Sequence, residues 1–78
     1  MARFHWQFSQ GGRVTDSYSS PTREGALKKL KAFVTGPPEH RDFMCRLAWT
    51  LWSTYPDDSS TSPIIKSVQG GAYGFWVA

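Results

Sequence analysis

The side chains able to do covalent or metal chemistry are few and scattered: His5, His40 and a single cysteine, Cys45. A zinc site needs three or four ligands at workable spacing. His40 and Cys45 stand five residues apart, a spacing no zinc-finger pattern requires, so neither a metal nor another cofactor is expected. Nucleophilic catalysis would need Cys45 or a serine to be activated by a histidine and oriented by a carboxylate, and no nucleophile motif surrounds either residue type. Asp57-Asp58 is a carboxylate pair, but within a Ser/Pro-rich run it reads as a solvated turn. His5 among cations leaves one catalytic reading, a ribonuclease-like toxin with His5 as general base beside phosphate-binding cations. The plainer readings make His40 a surface residue beside prolines and Cys45 a small buried hydrophobe. The expectation is a protein that is not an enzyme.

Binding chemistry is better represented. Up to Gly36 the chain carries Arg3, Arg13, Arg23, Lys28, Lys29 and Lys31 against Asp16 and Glu24, a balance of +4. The remainder carries Arg41, Arg46 and Lys66 against Glu39, Asp42, Asp57 and Asp58, a balance of −1, which together account for the net charge of +3. The basic half is either an ordinary solvated surface or a footprint for phosphates or an acidic protein. No helix-turn-helix, zinc-finger or RNA-recognition signature accompanies it. Four tryptophans in 78 residues exceed the ordinary needs of so small a core. Trp49 and Trp76 fall off the expected apolar stripes, so one or both are either exposed as a hot spot for a partner or covered by a second copy of the chain or an extra core contact.

These residues need positioning elements, and the pattern supplies them. Between positions 3 and 18, Phe4, Trp6 and Phe8 alternate with Arg3, His5 and Gln7. After Ser9-Gln10-Gly11-Gly12, Val14 and Tyr18 alternate with Arg13, Thr15 and Ser17. That is a β-hairpin with a glycine turn, its core face formed by Phe4, Trp6, Phe8, Val14 and Tyr18. Asp16 is anomalous on that face and marks a strand end or a bulge. Ser20 or Thr22 is the expected N-cap of a helix whose apolar stripe is Ala26, Leu27, Leu30, Phe33 and Val34. Thr35-Gly36 and the prolines after it should end that helix.

From 39 to 55, Phe43, Met44, Leu47, Ala48, Leu51, Trp52 and Tyr55 form a helical stripe. A second helix is the favoured reading and a long strand the alternative. Phe43 joins Phe4, Trp6, Phe8 and Phe33 as expected core. Tyr55 to Pro63 is loop by composition. Ile64 to Val68 and Tyr73 to Val77 read as two strands around Gln69-Gly70-Gly71, with Trp76 on the face opposite Tyr73, Phe75 and Val77. The expected fold is α+β: a small antiparallel sheet of two β-hairpins with one or two helices packed on one face.

Length bounds the rest. A 78-residue chain supports one domain, a thin core and a net stability of only a few kcal/mol. The start of the chain has no signal-peptide run and no stretch approaches a membrane span, so a cytoplasmic location with no membrane partner is expected, as a monomer or small homo-oligomer.

The order Phe4-His5-Trp6-Gln7-Phe8, then Gly11-Gly12, then Ser20-Pro21-Thr22-Arg23-Glu24-Gly25-Ala26-Leu27 opening a helix resembles small proteins of phages and mobile elements. Among these it is most similar in size and texture, over residues 4 to 34, to anti-CRISPR proteins that inhibit type I CRISPR surveillance complexes. The resemblance implies a non-enzymatic inhibitor that docks on a large nucleoprotein complex in the host cytoplasm and blocks target DNA binding. The partner-binding residues expected on charge and aromatic grounds are Arg3, His5, Arg13, Arg23, Lys28, Lys29, Lys31, Trp49 and Trp76, and direct contact with nucleic acid is compatible with them. The alternative function is a small basic nucleic-acid-binding or regulatory module.

Overall fold

A computed structural model of the chain describes residues 3–54, 64–66 and 70–78. The elements run β1 (Phe4–Gln10), β2 (Arg13–Ser20), α1 (Arg23–Phe33), α2 (Pro38–Thr54), β3 (Ile64–Lys66) and β4 (Ala72–Val77). The strands form one antiparallel sheet in the order β2-β1-β4-β3, so the first and last strands of the chain lie side by side at its centre. Both helices pack on one face, giving the expected α+β architecture. The segment read as helix or strand is helical. The segment 55–63, expected as loop, with Asp57-Asp58, and residues 67–69 of the expected third strand and turn lie outside the described residues.

The first hairpin turns at Gly11 and Gly12, whose φ angles of 58° and 78° are the left-handed pair a two-residue turn requires. Pairing then runs Phe4↔Ser20, Trp6↔Tyr18 and Phe8↔Asp16 before it slips, with Ser9 opposite Val14 and Gln10 opposite Arg13. Thr15 is the extra residue of a bulge, its hydroxyl donating to the Phe8 carbonyl at 3.4 Å. A one-residue slip exchanges faces. Val14, expected in the core, is therefore 50% exposed on the side opposite the helices, and Arg13, expected beside His5, falls on the other side of the hairpin tip. Asp16 does stand on the helix side, next to the bulge.

The helix α1 is started by hydroxyls: Thr22 Oγ1 accepts from the Gly25 N–H at 3.1 Å and Ser20 Oγ from the Thr22 N–H at 3.2 Å. It ends at Phe33, shorter than Thr35-Gly36 implied, because Val34 turns extended while its N–H still reaches the Leu30 carbonyl.

The core lies between helices and sheet and is mostly aromatic. Phe33 of α1 meets Trp6 and Phe8 at centroid distances of 5.1 and 5.3 Å, and Trp52 of α2 meets Phe75 edge-on at 6.0 Å. Two indoles also fasten the layers. Trp6 Nε1 donates to the Ala26 carbonyl of α1, and Trp52 Nε1 to the His5 carbonyl of β1, both at 3.1 Å. Each buried tryptophan thus satisfies its one polar atom by tying a helix to the sheet. Phe43 departs from expectation: it is 51% exposed, because α2 presents Met44, Cys45, Ala48 and Trp52 to the core instead. Among the described residues no helix is long and apolar enough to cross a membrane.

Candidate functional site

Strand alternation that points Trp6, Phe8, Tyr73, Phe75 and Val77 at the helices sends their neighbours to the opposite face. By register, that face holds His5, Gln7 and Ser9 of β1, Val14, Ser17 and Ser19 of β2, Ala72, Gly74 and Trp76 of β4, and the positions of Ile64 and Lys66 on β3. Neither helix covers it.

At its centre two rings stack. His5 pairs across the strands with Trp76, their planes within 3° of parallel and their centroids 4.9 Å apart. Both residues are half-buried. Burial, and then the charge of Arg3, push the His5 pKa below its ordinary 6.5, so the stacked imidazole is neutral at pH 7. Arg3 is held beside it: Nε and Nη2 donate to Ser19 Oγ at 3.3 and 3.4 Å, and Nη2 to the Ser19 carbonyl at 3.4 Å. A shallow groove of about 570 Å³ runs along the pair, lined by His5, Gln7, Val14, Ser17, Tyr18, Ser19 and Trp76.

Among the described residues this face carries no carboxylate. Asp16 is on the helix side, Glu24 in the first turn of α1, and Glu39 and Asp42 on α2. Among the described residues the face is thus basic around an aromatic centre, and none of them places a carboxylate beside His5. Among the described residues no three of His, Cys, Asp and Glu are grouped as metal ligands. Burial pushes the Cys45 thiol up, which keeps it protonated and poorly nucleophilic. His40 is half-buried, not fully at the surface as its neighbouring prolines suggested.

The nine residues expected to bind a partner separate into distinct places. Arg3, His5 and Trp76 come together on the open sheet face. Arg13 sits at the hairpin tip. Lys28 and Lys29 are exposed on α1, with the Lys29 ammonium 5.7 Å from the Tyr18 ring. Lys31 and Trp49 border a second groove, of about 400 Å³, between α1 and α2 with Leu27, Asp42, Cys45 and Arg46. Trp49 is exposed, as its position off the stripe predicts, but it is engaged by Arg23. That guanidinium lies 4.8 Å from the Trp49 ring and 5.9 Å from Phe4, and donates to Ser53 Oγ at 2.6 Å. Arg23 is a clamp between helices and sheet more than a free cation.

Lys66, Gln7, Ser17 and Ser19 belong to the open face and were not singled out from the sequence. Their signal was the same alternation that placed His5 and Trp76, read one strand further in each direction. The chain matches no family model, no curated protein and no solved structure.

Proposed function

We propose that this protein is a non-enzymatic docking protein that works by covering part of a large nucleoprotein complex in the cytoplasm, in the manner of an anti-CRISPR inhibitor, and that the open sheet face is what it docks with. The observation that carries the reading is the placement of Arg3, His5, Trp76 and Lys66 on a sheet face that neither helix covers and from which every described carboxylate is absent. Such a face is electrostatically matched to an anionic surface, and its aromatic centre supplies the kind of anchor that dominates binding energy. The mechanism is obstruction: a rigid sheet seated on the complex denies that surface to target DNA. The type I CRISPR surveillance complex is the partner implied by the resemblance of residues 4 to 34.

The test is to mix the purified protein with type I surveillance complexes of several subtypes, then measure co-elution and target-DNA binding. Wild type should co-elute with at least one complex and reduce its DNA binding, and Arg3→Ala/Trp76→Ala should do neither. Absence of co-elution and undiminished DNA binding with every subtype would overturn the proposal.

A further inference from the structure

The geometry of the open face points to a more specific contact: we infer that it is a platform for single-stranded nucleic acid, on which an unpaired base lies against the His5–Trp76 pair while backbone phosphates meet Arg3 and Lys66. The inference rests on the docking reading above and names what the sheet face touches.

Three features favour a nucleic-acid strand over an acidic protein. The first is the aromatic centre itself, two nearly parallel rings stacked on each other on a sheet face that neither helix covers, so that a base would continue the stack from an outer ring face. Every nucleobase has a π-face, and stacking on such a ring is worth about 1–3 kcal/mol per base whatever the sequence. A protein partner would instead seek an apolar patch, and the groove beside the rings is lined by Gln7, Ser17 and Ser19, with Val14 as the one aliphatic residue among its described lining.

The second feature is the placement of charge. Arg3 precedes β1 at one end, fixed by Ser19. Lys66 pairs with Ala72, which pairs with Ser9 at the other end of β1, roughly 20 Å away along the strand direction. A cation at each end of a surface with no carboxylate among its described residues suits an extended polyanion better than a single bound anion. The third feature is the groove wall, where Gln7, Ser17 and Ser19 each offer both a donor and an acceptor. Base edges need both.

Duplex nucleic acid fits poorly. Its bases are already stacked on one another, so their faces are closed to Trp76, and a broad flat sheet enters neither groove. The platform therefore selects unpaired strands.

Fluorescence anisotropy of labelled 12-mers, single-stranded RNA and DNA alongside the matching duplex, tests this with the full chain. Single strands should bind at least ten times more tightly than the duplex. The slope of log affinity against log salt should be about −1.4, the value for two phosphates on a single strand. Trp76→Ala should weaken binding roughly 5- to 150-fold, the loss of one base stack, while Trp76→Phe should lose less and Trp49→Ala should bind as wild type. Lys66→Ala should make the slope shallower by about 0.7. Circular dichroism on each variant separates lost binding from lost folding. No binding of single strands, equal binding of duplex, or indifference to Trp76→Ala in a folded variant would overturn the inference. If oligonucleotides fail while the protein still co-elutes with a surveillance complex, this inference falls and the docking reading stands. If oligonucleotides bind and no complex co-elutes, the docking reading falls and this one stands.

Discussion

The two faces of the sheet are built from the same strands and use the same residue types to opposite ends. On the helix side Trp6, Phe8, Tyr73, Phe75 and Val77 are buried, and the indoles of Trp6 and Trp52 each donate to a backbone carbonyl of the facing layer. On the other side His5 and Trp76 are half-buried, with Arg3 and Lys66 on the same face. One face carries the core and the other is covered by neither helix. In a domain this small, with few kcal/mol to spare, Trp76, the half-buried indole of the open face, is assigned by the docking proposal to an external contact.

The contrast predicts a graded series. Trp52→Ala should have the largest effect on stability, removing an indole that is 1% exposed together with its bond to the His5 carbonyl. Such truncations typically cost about 3–5 kcal/mol, and chemical denaturation should find the variant largely unfolded. Gly71→Ala should come next, at about 1–3 kcal/mol in the same assay. A Cβ there would collide with the Phe8 ring and come within 2.8 Å of the Ser9 carbonyl oxygen, where backbone cannot easily yield. If either variant kept full stability, the helix-side layer would not be the source of the fold's stability.

A smaller effect concerns the open face and pH. Because the His5 pKa is lowered in the folded chain, the unfolded chain binds its proton first as pH falls. The stability linked to this residue is complete above pH 6.5 and declines as pH drops from there through the lowered folded value. Thermal unfolding at pH 7.5 and 5.5 should therefore show a smaller drop for His5→Phe, which keeps a ring on Trp76 and removes the titration. An equal drop in both proteins would mean that the His5 environment is not linked to folding.

Much of the architecture was legible in the sequence because it rests on short-range physics. Phe4, Trp6 and Phe8 alternate cleanly, consecutive glycines turn the chain at Gly11 and Gly12, and Thr22 caps a helix whose apolar residues recur at helical spacing. What was not legible depends on contacts between distant segments. The bulge at Thr15 appeared in the sequence only as a misplaced aspartate, and the slip it causes moved both Val14 and Arg13 to the wrong face of the expectation. Phe43 looked like core because helical periodicity gives the width of an apolar stripe and not which edge of it meets the sheet. The candidate site was half visible. His5 and Trp76 were each placed on the outward face, but their mutual stacking is a property of β1 pairing with β4, separated by nearly the whole chain. For the same reason Arg23 and Trp49, both proposed as partner contacts, turned out to engage each other.

The central claim, that the open sheet face serves a partner and not the fold, is tested most directly by Trp76→Ala assayed in parallel for unfolding free energy and for binding to a single-stranded 12-mer and to surveillance complexes. The account predicts stability within about 1 kcal/mol of wild type, the scale of losing one half-buried cross-strand pair, together with loss of binding. A variant that binds both as wild type does, or that unfolds as Trp52→Ala is expected to, would contradict it.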